Sequence, residues 1–322
     1  MNGVENRGRA SDAMVGRVRR GGAVLAACCA LLLAFLVGSV GGMGLELGAW
    51  GYNRFGQAEA PPGMFLAVSA GLYFSLGLRP NGSLVAWGKN DFGQLEVPSG
   101  EDFAAVAAGG YHGVALRRDG SLVAWGRTAA GRTDVPQGSD FVAISAETYH
   151  SIALRADGSI AAWGSNTFGQ CDVPEGSDFV AVAAGRFHSL ALRRDGSIAA
   201  WGKDDEGQIR APTGARFVAI SAGGDHSLAL DAQGRIIAWG SSHRGETDVP
   251  DGGGFVAVSA GTYHNLALRR DGTLVGWGDN VFALSTTPAG PGYVAIDAGV
   301  HHNLVLREAT ALKAKTSSSG DD

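Results

Sequence analysis

Every tryptophan in this chain is followed by glycine, and the seven Trp-Gly pairs recur at an almost constant interval. The first interval is 37 residues and the other five are 38 residues. A fixed period of this length is the signature of a repeat architecture, in which one small structural unit is copied along the chain. The seven tryptophans are Trp50, Trp87, Trp125, Trp163, Trp201, Trp239 and Trp277.

One copy of the unit is clear between Phe179 and Pro212. Short apolar runs predict strand A at residues 179–184, strand B at 188–193 and strand C at 197–202, followed by a longer loop. Asp195-Gly196 lies between strands B and C, where we expect a two-residue hairpin turn with positive φ at both positions. Frequent glycines and Asp-Gly turns are incompatible with a helical repeat. The repeat therefore predicts an antiparallel three-stranded sheet.

The predicted strands are apolar or small on both faces, which is typical of sheets that are covered on both sides. The blades of a propeller are packed in this way. The first copy consists of strand C alone (residues 45–51), whereas the last copy (293–307) has strands A and B only. Pairing these two fragments would close a ring without exposed edges. We therefore predict an all-β fold, a seven-bladed β-propeller with short three-stranded blades, over residues 45–309 and closed by the N-terminal strand.

The ends of the chain differ from the repeats. Arg17, Arg19 and Arg20 precede an uncharged apolar run at residues 21–40, which predicts either a cleaved signal peptide or an uncleaved membrane anchor. Residues 1–44 are thus a predicted leader, with Met1 or Met14 as the start, and residues 310–322 a predicted disordered tail. The expected location is outside the cytoplasm: secreted, periplasmic or anchored on the outer side of a membrane.

The charge distribution argues against nucleic-acid binding. The net charge of −5 includes five arginines and two acids in residues 1–44, which leaves 21 basic and 29 acidic residues, or −8, in the remainder. Affinity for phosphate backbones comes mainly from Lys and Arg, so a ring this acidic is a poor candidate. The three cysteines form neither a disulfide framework nor a CxxC site.

A second periodic series, Gly-x-x-His, runs in step with the Trp-Gly pairs. Phe74 takes the histidine position in the first copy, and Glu147 replaces the glycine in the third. Repeated around a ring, these histidines would be too far apart to share a metal ion, so we interpret them as structural hydrogen-bonding groups. We likewise expect the tryptophans to fill the gaps between blades rather than to form a stacking surface. The six histidines are His112, His150, His188, His226, His264 and His302.

The repeat pattern Ala-Gly-x-x-His-Ser-Leu-Ala-Leu, followed by Asp-Gly-Ser-Leu and Ala-Trp-Gly-x-Asn-x-Phe-Gly-Gln, resembles the regulator-of-chromosome-condensation repeat. The 38-residue, three-stranded form is most similar to the bacterial propellers that inhibit β-lactamases. This resemblance covers residues 45–309 and implies a protein-binding propeller that uses aromatic loop residues on one face. It does not identify the partner, because one fold serves many functions.

The A–B connections and the beginnings of the C–A loops lie on the same rim of the predicted ring, which we call the mouth. The A–B connections contribute Tyr73, Tyr111, Tyr149, Phe187, Asp225, Tyr263 and His301. The C–A loops contribute Phe55, Phe92, Ala130, Phe168, Glu206, Arg244 and Phe282. These aromatics either wedge the loops together or contact a partner, since Tyr and Phe supply large, stiff contact areas. We predict that the A–B set, with Phe92 and Phe168, binds a partner, with basic groups of that partner over the acidic sector at Asp204, Asp205, Glu206 and Asp225.

No nucleophile–base pair, phosphate-binding loop or metal-ligand set stands out, so we expect no enzyme activity, no cofactor and no metal. The favoured interpretation is a monomeric exported ring that binds another protein, and the resemblance suggests a secreted or envelope hydrolase such as a β-lactamase as the candidate partner. Binding of a polysaccharide or another cell-envelope ligand is the alternative. A guanine-nucleotide-exchange or chromatin role is more distant, because the leader and the acidic charge oppose it. Membrane contact would come only from residues 21–40.

Overall fold

The computed structural model of the protein describes residues 44–309. The predicted leader, apart from Gly44, and the predicted tail lie outside the described residues. Residues 44–309 form 21 strands in seven three-stranded antiparallel sheets, together with two short 3₁₀ turns at Ala129–Gly131 and Val281–Ala283. This confirms the predicted seven-bladed architecture. Within the same residues no helix is long and apolar enough to cross a membrane.

The strands are numbered in chain order and grouped here by blade. Blade 1 contains β2 (Ala67–Ala70), β3 (Phe74–Leu78) and β4 (Leu84–Gly88); blade 2, β5 (Phe103–Ala108), β6 (His112–Arg117) and β7 (Leu122–Gly126); blade 3, β8 (Phe141–Ala146), β9 (His150–Arg155) and β10 (Ile160–Gly164); blade 4, β11 (Phe179–Ala184), β12 (His188–Arg193) and β13 (Ile198–Gly202). Blade 5 contains β14 (Phe217–Ala222), β15 (His226–Asp231) and β16 (Ile236–Gly240); blade 6, β17 (Phe255–Ala260), β18 (His264–Arg269) and β19 (Leu274–Gly278); blade 7, β20 (Tyr293–Ala298), β21 (His302–Arg307) and β1 (Glu46–Gly51).

Blade 7 is assembled from the two ends of the ring. Strand β1 pairs antiparallel with β21, so that Glu46 is opposite Arg307 and Gly51 is opposite His302. The predicted closure by the N-terminal strand is therefore confirmed. Glu46 and Arg307 lie on the rim that carries the B–C turns, which we call the turn rim, whereas Gly51 and His302 lie beside the mouth. Both ends of the ring thus meet at the turn rim.

The hydrophobic core is divided into seven clusters, each formed by two neighbouring blades. Trp125 of blade 2, for example, packs in the cluster that contains Phe74 and Leu76 of blade 1. Each tryptophan also donates its indole N–H to a backbone carbonyl of the preceding loop, as Trp201 does to Gln170 at 2.9 Å. The tryptophans therefore fill the gaps between blades, as the sequence predicted.

The histidines link each blade to the next. Nε2 of His188 lies 2.9 Å from Oγ of Ser227, and that hydroxyl donates to the carbonyl of Gln208 at 2.9 Å. Because the Ser227 hydroxyl donates its one proton to the carbonyl, the imidazole must donate to the hydroxyl oxygen from Nε2. The buried Nδ1 of His188 has no hydrogen-bond partner. Burial lowers the pKa of His188 to about 3, which keeps it neutral. All six repeat histidines make the equivalent bond, so the structural interpretation is confirmed.

The hairpin turn between strands B and C differs from the expected one. In blade 2, the N–H of Gly120 bonds to the carbonyl of Arg117, and only Gly120 has a positive φ (84°). Asp119 keeps a negative φ because its carboxylate accepts the N–H and the hydroxyl of Ser121. The loop has three residues, 118–120, and the last of them is a bulge glycine. In this common hairpin connection the glycine alone needs the left-handed conformation.

The strands A line a central channel that encloses a cavity of about 90 Å³. Most lining side chains are small, and the two carboxylates among them belong to Glu147 and Asp297. Asp297 accepts the backbone N–H of Ala70 at 2.7 Å, which joins blade 7 to blade 1. Burial raises the pKa of Asp297 to about 6 and also raises the pKa of Glu147.

Candidate functional site

The mouth is built from pairs of aromatic rings contributed by successive blades. Phe92, on the loop after blade 1, packs edge-on against Tyr111 of blade 2, with ring centroids 5.3 Å apart. Phe168 packs in the same way against Phe187 at 5.0 Å. These rings wedge the loops together and still remain accessible, since Phe92 is 41% exposed and Phe168 44% exposed. The packing and the contact interpretations of the aromatics are therefore compatible.

Local hydrogen bonds hold the loops that present these phenylalanines. Oδ1 of Asn90 accepts the N–H of Leu95, and Oε1 of the buried Gln94 accepts the N–H of Phe92. Such side-chain bonds replace regular secondary structure where the chain reverses. The Asn-x-Phe-Gly-Gln motif thus encodes a stiff loop with a phenylalanine at its tip. The same bonds occur in the loops at residues 53–58 and 166–171.

The exposed apolar surface is concentrated on the mouth. Of the five exposed large hydrophobic side chains in residues 44–309, only Val142 lies elsewhere. Val281 and Phe282 are the most exposed, at 53% and 51%, and Phe282 has a φ of 63°. A left-handed conformation is unfavourable for a bulky residue and is often associated with function. The four mouth residues are Phe92, Phe168, Val281 and Phe282.

The largest aromatic group surrounds Tyr52, which the sequence reasoning missed. Its ring lies 4.9 Å from that of Phe282 and 5.9 Å from that of Tyr73, which in turn stacks on His301 at 5.4 Å. Phe55 completes the group, 5.3 Å from Tyr73. Position 52 follows Trp-Gly, where the other six copies carry a polar residue, and that departure was the available signal. The polar residues are Lys89, Arg127, Ser165, Lys203, Ser241 and Asp279.

The acidic sector of the mouth is partly neutralised by two cations of its own, Lys203 and Arg210. Nζ of Lys203 lies 3.2 Å from Asp225 and 3.4 Å from Asp205. Arg210 pairs with Asp204 at 3.0 Å, and His243 lies 3.2 Å from Glu206. Two of these pairs, Lys203–Asp225 and Glu206–His243, join different loops up to 37 positions apart, which sequence spacing does not reveal. The sector therefore offers less free negative charge than its composition suggests.

The mouth cations lie over aromatic faces. Nζ of Lys89 is 4.9 Å from the ring of Phe55, and the guanidinium of Arg244 is 4.2 Å from that of Tyr263. Such contacts hold charged groups beside apolar surface and make the rings part of a mixed, amphipathic face. The structure thus distributes the predicted site residues around the whole mouth. Tyr73 and His301 lie in the Tyr52 group, and Tyr149 stacks on Phe187 at 4.8 Å. Asp225 lies beside Lys203 in the sector between Phe187 and Tyr263.

Metal chemistry finds no support in this part of the chain. Across residues 44–309, no three His, Cys, Asp or Glu side chains are grouped so that they could hold a metal ion. Cys171 is a free thiol whose pKa is raised to about 11 by burial, which makes it a weak nucleophile. The surface that remains to be explained is the aromatic mouth.

Comparison with solved structures places the ring among known propellers. Prp20p from Saccharomyces cerevisiae, described with its binding to Gsp1p and histones, is 16% identical over 84% of this chain and 92% of that chain, with a TM-score of 0.72. Human WBSCR16 is 16% identical over 82% and 98%, with a TM-score of 0.69. The CRINKLY WD40 ectodomain of the Arabidopsis thaliana receptor kinase ACR4 is 25% identical over 72% and 88%, with a TM-score of 0.60. A search of curated proteins gave no significant match.

Comparison with family profiles identifies the repeat itself. The profile described as "Regulator of chromosome condensation (RCC1) repeat" matches six segments, each running from the start of a strand A to the following C–A loop. The segments are 65–94, 103–132, 141–170, 179–208, 217–246 and 255–283, more than half of the chain. Blade 7 is not matched as a unit because its strands come from both ends of the ring. The chain therefore belongs to the RCC1 repeat family.

Proposed function

We propose that this protein is an exported, non-catalytic propeller that binds another protein through its mouth. The observation that carries the proposal is the concentration of exposed apolar side chains there: four of the five in residues 44–309 lie on one rim. Exposed apolar patches on a soluble fold commonly mark interaction sites, and aromatic residues contribute strongly to binding energy. Export is supported by the basic flank at Arg17–Arg20 and the apolar run at residues 21–40.

A secreted or envelope hydrolase, such as a β-lactamase, is the partner that we propose. This choice rests on the resemblance in repeat length to propellers that inhibit those enzymes. The fold shared with Prp20p, which binds Gsp1p and histones, supports protein binding only in general, because the identity is 16%. An inhibitor of this kind needs no chemistry of its own, since covering the entrance to an active site is sufficient.

The test is inhibition by the purified full-length chain of a panel of purified β-lactamases, read by hydrolysis of a chromogenic substrate. We expect at least one enzyme to be inhibited, and Phe92→Ala or Tyr111→Ala to weaken inhibition by about 30-fold, as interface hot spots do. Matched changes on the turn rim, Arg118→Ala and Arg194→Ala, should have little effect. Inhibition that depends on Arg118 or Arg194 and not on the aromatics would show that the wrong face was chosen.

Polysaccharide binding is the second candidate, because the exposed faces of Phe92 and Phe168 could also stack on sugar rings. Binding to a soluble glycan array by the full-length chain distinguishes the two. Affinity for a glycan, lost in Phe92→Ala and accompanied by no hydrolase binding, would favour the second candidate. An affinity pull-down from the native envelope and medium provides partners if the β-lactamase panel is negative.

A further inference from the structure

One sector of the mouth departs from the repeat at two positions of the same loop, Ala130 and Arg132. Between blades 2 and 3, Ala130 occupies the loop-tip position that is Phe in four other loops. Without that ring, no loop-tip aromatic packs on Tyr149, in contrast to Tyr111, which is covered by Phe92. Ala129 and Ala130 are both exposed. The place that a phenylalanine ring at position 130 would fill, between Tyr111 and Tyr149, is here called the recess. The four phenylalanines at the equivalent position are Phe55, Phe92, Phe168 and Phe282.

Two arginine side chains lie over the aromatic rings that border the recess. The guanidinium of Arg127 lies 5.5 Å from the ring of Tyr111 and 4.8 Å from that of Phe92. The guanidinium of Arg132 lies 5.5 Å from the ring of Tyr149. Burial, and after it the positive charge of Arg127, lowers the pKa of Arg132.

Neither arginine has an anionic partner. In the part of the chain that the structure describes, no carboxylate lies within ion-pair distance of Arg127 or Arg132, and Asp134 on the same loop pairs with neither. Arg132 is only 5% exposed, and its Nε makes no hydrogen bond. Nη1 of Arg132 donates to the carbonyl of Ala129 at 2.6 Å, which fixes the side chain. A buried cation with an unsatisfied donor is costly unless an anion completes it.

The equivalent positions show that Arg132 is not required by the fold. Four other loops carry glutamine there, and its amide oxygen accepts a loop N–H, as in Gln94 and Gln170. The remaining two loops carry Glu246 and Leu284. A glutamine at position 132 would therefore fit the same place without a charge. Nε2 of Gln57 and of Gln170 also lacks a partner, so an unpaired donor is common at this position. The arginine differs in its positive charge, which no carboxylate of residues 44–309 pairs with.

We propose that the recess is a carboxylate-binding subsite of the mouth, which receives an Asp or Glu side chain of the protein partner next to an apolar anchor seated on Phe92 and Tyr111. The inference rests on the proposed protein-binding function and specifies the partner's chemistry. It also adds a basic sector to the acidic one: Lys203 and Arg210 partly neutralise the acids. Arg127 and Arg132 form no ion pair within residues 44–309. Arginine suits this role because its planar fork matches a carboxylate.

A protein carboxylate fits the recess better than a nucleic-acid phosphate does. Polyphosphate binding needs a track of several cations, and its strength depends on the number of phosphates that are neutralised. Here two arginines are confined to one sector, the same loop carries Asp134, and the loop before it carries Glu96. A single carboxylate side chain can pair with the arginines of the recess. A continuous phosphate backbone would in addition be repelled by these acids.

The test uses a displayed library of disulfide-closed heptapeptides, selected on the full-length chain. We expect the selected peptides to carry Asp or Glu beside Phe, Tyr or Leu, and to bind Arg127→Gln at least 10-fold more weakly. Replacing the peptide acid by its amide should cost a similar factor, with little further loss on Arg127→Gln. Arg118→Gln on the turn rim is the matched control and should leave the affinity within twofold.

Arg132→Gln separates binding from folding. Because the change installs the residue of the sibling blades and removes an uncompensated charge, the melting temperature should stay the same or rise while acidic-peptide affinity falls at least 5-fold. Ala130→Phe should also block the recess without unfolding the ring, because Phe282 adopts a similar φ of 63°. A lower melting temperature with unchanged peptide affinity for Arg132→Gln would show a merely structural role and overturn the proposal.

The remaining outcomes distinguish this inference from the proposed function. Peptides that need Phe92 and Tyr111 but are rich in Lys or Arg, or are indifferent to Arg127→Gln, would overturn the carboxylate subsite and leave the protein-binding mouth intact. Arg127-dependent binding of inorganic phosphate or a dodecathymidine strand, with no binding of acidic peptides, would overturn the assignment to a protein carboxylate. Failure to recover any peptide that depends on Phe92 or Tyr111 would count against both proposals.

Discussion

Tyr111 and His112 are neighbours in sequence and belong to two different surfaces. The histidine position is completely buried and forms the same bond to the next blade in six of the seven copies. The position before it is half-exposed and changes among Tyr, Phe, Asp and His around the ring. The comparison shows that the repeat is conserved within the chain where the blades meet. One residue away, at the mouth, it is free to vary.

The exceptional blade supports the same conclusion. Phe74 replaces the histidine of blade 1, and the residue that would receive its hydrogen bond in blade 2 is Gly113 rather than serine or asparagine. Donor and acceptor are thus lost together, so that no buried polar group is left without a partner at this joint. At this blade interface the two changes are therefore coupled.

The largest effect is expected from opening the ring. Deleting residues 45–51 removes β1, leaves blade 7 with two strands and exposes the edge of β21 that β1 covers. Exposed edges favour association, so we expect aggregation or domain-swapped oligomers in place of a soluble monomer. Light scattering coupled to size-exclusion chromatography measures this. A monomer with an unchanged melting temperature would contradict the closure.

A single truncation at a blade interface should be the next most severe change. Trp201 is buried and bonded to Gln170, so Trp201→Ala should lower the free energy of unfolding by about 3–5 kcal/mol. Urea denaturation followed by circular dichroism gives the value. A loss below about 1 kcal/mol would mean that the tryptophan contributes little to the packing of blades 3 and 4.

Acid should weaken the interfaces and spare the mouth. The repeat histidines stay neutral when folded, with pKa values of about 3 for His112, His150, His188 and His302 and about 4 for His264. Since the unfolded chain takes up protons below about pH 6.5, each histidine lowers the free energy of unfolding as the pH falls, by up to about 1.4 kcal/mol per pH unit.

The channel carboxylates act in the opposite direction. The raised pKa of Asp297, about 6, favours folding at low pH, and that contribution is lost as the pH rises through 6. With two such acids against six histidines, we expect a net loss of stability from pH 6.5 towards pH 4, measured by urea denaturation at each pH. A free energy of unfolding that does not change between pH 7 and pH 5 would contradict the neutral-histidine network.

The smallest effect is expected at the mouth. Tyr111 contacts Phe92 and Arg127 but is half-exposed, so Tyr111→Ala should cost less than about 1 kcal/mol of stability, within the range of an aromatic pair contact. Thermal unfolding compared with Arg118→Ala checks it. A loss as large as that of Trp201→Ala would place Tyr111 among the packing residues and remove the distinction between the two surfaces.

The sequence was sufficient for the architecture because the architecture is repeated. The Trp position recurs in seven copies of the repeat and the His position in six, and this regularity predicted the strand order. The incomplete first and last copies predicted the closure of the ring. The predicted turn geometry was wrong. The carboxylate of Asp119 accepts the N–H of Ser121, and this bond favours a negative φ at Asp119 over the positive φ of a two-residue turn. Residues that mattered as exceptions, such as Tyr52 and Arg132, were overlooked when the copies were compared for what they share. Ion pairs between loops, as at Lys203 and Asp225, depend on distances that no spacing reveals.

The meeting of both chain ends at the turn rim has a practical consequence. Any segment attached before Gly44 or after Ala309 leaves the ring beside Glu46 and Arg307, on the side away from the aromatic loops. An affinity tag, a biotin or a solid support coupled through either end would therefore hold the propeller with its loops directed outward. All seven loops would then be accessible to a ligand in solution, so that immobilised protein reports binding without steric interference from its own tether.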